Sequence, residues 1–335
     1  MSTAPVKVAM IGLGWWGKKM TAVLQNAKQD IEIVCAAEPN PAGAEFAKDY
    51  GFKVYSDHRG ALGHPGVEAV ILATPHSLHA QQIEDSVASG KHIFCEKPLA
   101  LTRAGAEKAV NACAANKLVL GMGHERRWEP PIADLLAKAD AGVLGRIHQI
   151  EANFSHDKFL ALDRDNWRLK ADQAPAGGMT ATGIHLLDLS VRLLGPAESV
   201  VCICEQLSSD LPQGDTVSAY VKFCGGGTSY VSASLANPFM SRFTVYGSKG
   251  WIDIRDKAHV EAPAGWIVTS AMAGGPIATV EVPPAEPVKD NLVSFARAVR
   301  GIETYPITAA QLVDTIALLE AVFASALSRK IEAVA

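Results

Sequence analysis

No run in this chain approaches the ~20 consecutive apolar residues that a membrane-spanning helix needs, so no membrane partner is expected. Positive charge is also in short supply. The 31 Lys and Arg against 35 Asp and Glu give a formal net charge of −4, which argues against nucleic-acid or anionic-lipid binding as the main task. Six cysteines in 335 residues, none in C-x-x-C spacing, make neither a disulfide framework nor a zinc site. Cys202 and Cys204, two apart, would share one strand face as reduced core thiols, which points to a cytoplasmic protein. His76, His79 and His124 show no three-ligand spacing, so no metal is expected. Met1 to Pro5 is short and neutral, and a strand-like run starts at Val6, leaving no room for a signal peptide. There is no internal repeat and no low-complexity linker. What remains is an ordinary globular balance, 48% hydrophobic and 20% charged, with length enough for about two domains.

The first third alternates short apolar runs with helical patterns. Val6–Ile11, Ile31–Ala37, Ala69–Ala73, His92–Cys95 and Val119–Met122 read as strands, separated by helices at Trp16–Gln25, Pro41–Tyr50, Ser77–Ser89 and Thr102–Asn116. This βαβ rhythm predicts a doubly wound parallel sheet of Rossmann type over residues 1–123. From His124 the texture changes. A helix at Pro130–Lys138, a strand at Arg146–Phe154, a polar loop from His156 to Ala176 and a helix at Gly183–Leu194 precede several strands up to Val282. Residues 124–335 are therefore expected to form an α/β domain with a large open, mostly antiparallel sheet, one face of which helices or another subunit must cover. Its two closing helices are Asp290–Val299 and Thr308–Leu327, the last a candidate to pack back on the first domain.

Gly12-Leu13-Gly14-Trp15-Trp16-Gly17 matches G-x-G-x-x-G between the first strand and the first helix, the setting that gives this motif its meaning. Gly12 permits a tight turn, Gly14 lets backbone approach a pyrophosphate, and Gly17 lets helix and strand pack closely. Glu38 ends the second strand 21 positions after Gly17, where an acid binds the adenosine ribose hydroxyls of NAD. Its charge would repel the 2′-phosphate of NADP, and Pro39, Asn40 and Pro41 supply no cation, so NAD is expected over NADP. A solvated surface glutamate is the plainer alternative. Lys97, in Glu96-Lys97-Pro98, follows a strand at the end that faces the ligand crevice, where an ammonium can stabilise an alkoxide or polarise a carbonyl.

The glycine loop, Ala73-Thr74-Pro75 with His79, Glu96-Lys97-Pro98 and Gly183-Ile184-His185-Leu186-Leu187-Asp188 fall in one order. Together they resemble the Gfo/Idh/MocA oxidoreductases, the glucose–fructose oxidoreductase and inositol dehydrogenase group, over almost the whole chain. The resemblance implies NAD(P)-linked oxidation or reduction of a sugar, cyclitol or related secondary alcohol. It implies a cofactor pocket including Thr74, Pro75, Glu96 and Lys97, with Lys97 also catalytic; Trp16 and His79 are further cofactor-contact candidates, Trp16 being explained as well by packing beneath the second domain. It makes Arg127 a cofactor- or substrate-contact candidate and matches His185 to the family histidine, the acid–base. Taken alone, a histidine on an apolar helix is more often packed core than base. Asp188, three positions on, would orient the imidazole or meet substrate. Many relatives carry an aspartate four residues before this histidine; here the position is Ala181. Thr180 or Thr182 would then be left to hydrogen-bond a substrate hydroxyl.

In the loop before the histidine helix, Trp167 and Arg168 offer a flat apolar face and a cation to a polyol or cyclic diol. Other readings stay open: a dehydrogenase of an aromatic cis-dihydrodiol, glycosidic-bond cleavage through transient oxidation, or a non-catalytic NAD-binding sensor on the same fold. Alternating apolar residues in Tyr220–Phe223, Ser229–Ser234 and Phe243–Tyr246 predict a sheet face that a homodimer or homotetramer would cover.

Overall fold

The structure, a computed structural model, describes residues 4–334, so most of the short neutral segment Met1–Pro5 lies outside the described residues. The chain divides into two compact units. One runs up to Glu125 and takes in Glu286–Leu312; the other comprises Arg126–Ala285 and the chain from Val313 onward.

The first unit is a six-stranded parallel sheet. Its strands are β1 (Val6–Ile11), β2 (Ile31–Ala37), β3 (Lys53–Tyr55), β4 (Ala69–Leu72), β5 (His92–Cys95) and β6 (Leu120–Met122), in the order β3-β2-β1-β4-β5-β6. β4 is buried on both faces, as its continuous apolar sequence requires. The connecting helices are α1 (Trp15–Leu24), α2 (Pro41–Lys48), α3 (His58–Leu62), α4 (His76–Ala88) and α5 (Arg103–Ala115). Side chains cap α2, α3 and α5: Asn40 accepts from Ala42 N, Asp57 from Gly60 N and Thr102 from Gly105 N. No side chain caps α1 or α4. Those two helices follow β1 and β4, the neighbouring strands at which the winding reverses, and this is where doubly wound sheets bind ligands.

The late segment joins this unit through named contacts. Arg300 grips Glu68 with two 2.7 Å hydrogen bonds, Phe295 packs edge-on against Phe94, and the Tyr305 hydroxyl meets the Met122 backbone and Asn291.

The second unit opens with α6 (Pro130–Asp140), β7 (Ile147–Ser155) and α7 (Ile184–Leu194). Then come β8 (Ala197–Glu205), β9 (Thr216–Phe223), β10 (Thr228–Ser234), β11 (Met240–Gly247), β12 (Gly250–Asp256), β13 (Trp266–Met272) and β14 (Ala278–Val282). The helix of the late segment is α8 (Pro287–Val299), and α9 (Ala309–Ser328) and β15 (Glu332–Ala333) close the chain. The nine strands form one sheet in the order β14-β13-β12-β11-β7-β10-β9-β8-β15. Every pairing is antiparallel except β7 with β10. Alternate residues of β9, namely Val217, Ala219, Val221 and Phe223, are buried on the inner face. α9 is tied to this sheet by the Ser325 hydroxyl, which accepts from Cys202 N at 2.8 Å. Among the described residues α9 is the one helix long and apolar enough to cross a membrane, and half of its apolar stretch is buried, as in a core helix. The opposite sheet face exposes Ile203, Tyr220 and Tyr230, the two tyrosines directly paired across β9 and β10. All six cysteines are free thiols.

Candidate functional site

The glycine loop between β1 and α1 is shaped by contacts that leave no room for side chains. Gly12 has φ +90°, and a Cβ there would lie 2.7 Å from the Ala73 carbonyl oxygen. A Cβ on Gly17 would come within 2.0 Å of the Gly12 carbonyl oxygen, so helix and loop meet backbone to backbone. Gly14 differs: its Cβ position faces open space, and it begins α1 without a capping side chain. Exposed amides at a helix start beside open space suit a pyrophosphate. Trp16 is half-buried in the first turn of α1, with Trp15 edge-on to it at 6.2 Å. At the end of β2, Glu38 accepts from Leu13 N at 2.6 Å and from Asn40 N at 2.8 Å. It thus braces the glycine loop, and each oxygen keeps a lone pair for a further donor. These residues fit a dinucleotide.

The ends of β4 and β5 are joined by a histidine strut. His79 is fully buried, with Nδ1 2.9 Å from the Pro98 carbonyl and Nε2 3.1 Å from that of Thr74. Burial holds its pKa below the ordinary value against both carbonyls. The structure places His79 beneath the strand ends, where it ties Thr74 to Pro98. The Thr74 hydroxyl donates to Gln82 Oε1 at 2.6 Å, and Pro75 starts α4. Glu96 is buried against Gly123, whose missing side chain gives it space: a Cβ there would lie 2.4 Å from Glu96 Oε1. Burial, then the Glu125 charge, pushes the Glu96 carboxyl up to about 8, against the nearby Lys97 ammonium. Lys97 itself is half-buried on this strand end.

In the second unit, Met179–Gly183 forms a π-helical turn directly before α7. Such turns add a residue to a helix and often mark functional positions. His185, in the first turn of α7, is buried, with its ring centroid 6.4 Å from that of Phe154. Phe154 also contacts His156, His259 and Phe239. His156 packs on Phe159 at 5.3 Å and on His259 at 5.6 Å. Lys158 Nζ lies 3.0 Å from His259 Nδ1 and pairs with Glu261. The Arg126 guanidinium lies 5.3 Å over the Phe154 ring and bonds Ser241, Glu129 and Asp256. None of Phe154, His156, His259, Lys158, Glu261 or Arg126 was a sequence candidate. They come from β7, the turn after β12 and the 3-10 turns at Glu125–Trp128 and Lys158–Ala161, positions with no shared periodicity.

Asp188 engages Arg127 in a buried bidentate pair, at 2.8 Å from Nε and 2.7 Å from Nη2. Thr182 turns its hydroxyl onto the carbonyls of Phe154 and Gly178, at 2.7 and 3.1 Å, and Thr180 turns its own onto Pro175. Each hydroxyl oxygen can still accept from a further donor. The polar loop from His156 carries two 3-10 turns of its own. Phe159 and Leu169 dock it onto Leu211 and Leu235, with Leu162 and Ala181 packed alongside. Trp167 and Arg168 are half-buried and stacked on each other, guanidinium 4.4 Å from the ring centroid. Among the described residues no group of three His, Cys, Asp or Glu is placed to hold a metal ion.

The comparisons with known proteins agree with this geometry. Residues 6–124 match the family model described as oxidoreductase family, NAD-binding Rossmann fold, and residues 133–253 match the GFO/IDH/MocA C-terminal domain. The 1,5-anhydro-D-fructose reductase of Ensifer adhaerens is 30% identical over 264 residues, 77% of this chain and 78% of that protein. The scyllo-inositol 2-dehydrogenase (NAD(+)) of Bacillus subtilis (strain 168) is 28% identical over 265 residues, 76% of this chain and 75% of that one. A structure of levoglucosan dehydrogenase in complex with NADH and levoglucosan shares the fold, with a TM-score of 0.86 at 21% identity, covering 98% of this chain and 99% of that one. With uncapped helix starts at the winding reversal, a braced glycine loop and both family models matched in order, this chain belongs to the Gfo/Idh/MocA oxidoreductases and carries their NAD-binding Rossmann domain.

Proposed function

We propose that this protein is an NAD-dependent dehydrogenase of a secondary alcohol, or reductase of the matching ketone, on a sugar, cyclitol or related polyol. The observation that carries the reading is the open, uncapped start of α1 beside the Glu38-braced glycine loop, in the same sheet that ends in Lys97. Bound NAD supplies the hydride acceptor. The Lys97 ammonium steadies the substrate oxygen as it gains alkoxide character. The His185 imidazole takes the proton from that hydroxyl, and returns it in the reverse direction. Glu38 excludes a ribose phosphate and so favours NAD over NADP. Free thiols throughout fit a cytoplasmic location. A second copy of the chain covers the sheet face bearing Ile203, Tyr220 and Tyr230. A second reading, oxidation of an aromatic cis-dihydrodiol, is favoured by one observation: Ala181 packs on an apolar cluster.

The test is NADH formation over a panel of sugars, cyclitols and cis-dihydrodiols, with NAD affinity followed by tryptophan fluorescence. Lys97→Ala and His185→Ala should each lower kcat by ~10²-fold or more while NAD still binds. Near-normal turnover in either variant removes that residue from the chemistry.

A further inference from the structure

Glu96, directly after β5, sits in a pocket of the first unit shaped around its carboxyl. The group lies flat on Gly123, where a Cβ would come within 2.4, 2.6 and 2.7 Å of Oε1, Cδ and Oε2. The Lys97 amide donates to Oε2 at 3.3 Å. Trp16, in the first turn of α1, lies beside the carboxyl, which joins this pocket to the glycine loop. Glu125, two residues beyond Gly123, is a second buried carboxyl whose charge acts on the first. The titratable neighbours in this unit are Glu125, the Lys97 ammonium, the Cys95 thiol that burial keeps neutral, and the buried His124 between Gly123 and Glu125. Two carboxyls and one ammonium reach neutrality when one carboxyl keeps a proton. Burial and the Glu125 charge outweigh Lys97 and Trp16 and put that proton on Glu96, which titrates at about 8.

The strand order indicates which end of a dinucleotide comes here. Glu38, at the end of β2, marks the proposed adenosine end, and the glycine loop after β1 takes the pyrophosphate. β4 and β5 lie on the other side of β1, so the nicotinamide end runs toward the strand end that bears Glu96 and Lys97. Oxidised nicotinamide carries a positive charge and reduced nicotinamide carries none. We infer that Glu96 is a charge-matching residue for that end: it holds a proton in the free chain, releases it to solvent when NAD binds, and keeps it with NADH. The carboxyl O–H bond is the one that breaks, and afterwards two carboxylates face two cations, Lys97 and the pyridinium. An opposite charge within ~6 Å is enough to favour the ionised carboxyl at neutral pH. Because binding releases a proton, NAD should bind more tightly as pH rises, while NADH binding stays level. The inference rests on the NAD reading of the glycine loop and Glu38, and not on the alcohol chemistry.

The experiment titrates the full chain with NAD, NADH and ADP-ribose by calorimetry at pH 7. Phosphate and Tris buffers differ in ionisation enthalpy, and the difference counts the protons released. NAD should release up to ~0.9 proton per chain more than NADH or ADP-ribose, the protonated share at pH 7 of a carboxyl that titrates at about 8. Kd for NAD should fall by up to ~10-fold per pH unit below pH 8, with Kd for NADH unchanged. Glu96→Gln should abolish both differences while both nucleotides still bind. Glu125→Gln removes the charge that keeps the proton on Glu96 and should shrink the proton count, which serves if the first variant does not fold. Equal proton counts for NAD and NADH, or a difference that survives in Glu96→Gln, overturn the inference and leave the cofactor reading standing. Failure of both nucleotides to bind the unmodified chain overturns the cofactor reading and the inference together.

Discussion

The Arg127–Asp188 pair gives the sharpest quantitative expectation. Both side chains are at least nine-tenths buried, and the two hydrogen bonds of 2.7 and 2.8 Å are the fork geometry in which guanidinium and carboxylate match best. Neutralising one partner strands the other charge in the interior, which costs ~3–5 kcal/mol. Replacing both with apolar residues of similar volume costs far less, because nothing is stranded. With a urea dependence of ~2 kcal/mol/M for a unit of this size, Arg127→Met or Asp188→Asn should each lower the unfolding midpoint by ~1.5–2.5 M. The double variant Arg127→Met with Asp188→Leu should recover most of that loss. The assay is urea unfolding followed by far-ultraviolet circular dichroism, with tryptophan fluorescence as an independent probe for the two units. Single-variant shifts under ~0.5 M that simply add in the double variant would show that the pair is not the main partner of either residue.

Two further outcomes follow from carboxyl groups in opposite environments. Glu96 holds its proton to about 8 in the folded chain against 4.5 ordinarily, so between those values the folded state binds a proton the unfolded chain has lost. Stability should therefore fall as pH rises through that window, and Glu96→Gln, which keeps the shape without titrating, should flatten the slope of melting temperature against pH; an unchanged slope contradicts the assignment. For Asp215, burial pushes the carboxyl up, but amides of Ser208 and Leu207 and hydroxyls of Thr216 and Ser209 outweigh it and hold it at about 2. Its contribution, about 2 kcal/mol from the shift below 3.8, is complete above that pH and lost as pH falls toward 2. Asp215→Asn should remove that acid-dependent part in denaturation between pH 4 and 2, and equal acid sensitivity in the variant would refute it.

The parallel half of the fold was legible because each of its features leaves a local trace. Buried strands such as Ala69–Leu72 are continuous apolar runs, and Pro41 and Gly90 punctuate helices. The strand Lys53–Tyr55 and helix His58–Leu62 escaped because three and five residues, largely exposed or half-buried, show no period. In the second unit the strands were expected but their order was not, since register depends on partners distant in sequence. The parallel pairing of β7 with β10 illustrates this. The site divides the same way. The glycine loop and Glu38 follow from spacing along one chain segment. The Arg127–Asp188 pair spans 61 positions, and the imidazole–aromatic cluster joins β7 to the turn after β12. No short-range pattern encodes such contacts.

That division bears on what can change between relatives of one architecture. Cofactor-side residues are held by backbone: Gly17 against the Gly12 carbonyl, His79 between two carbonyls, Glu38 on two amides. A side-chain change there meets main chain that cannot yield, so the nucleotide chemistry is rigidly specified. The surface near His185 is held by side chains instead. Phe154 packs among three imidazoles and a guanidinium, and Ala181 sits on a satellite cluster of four apolar residues beneath a docked loop. Substituting one of these side chains meets other side chains rather than main chain. Single residues can therefore change in that side-chain packing, while the backbone-held glycine loop resists substitution.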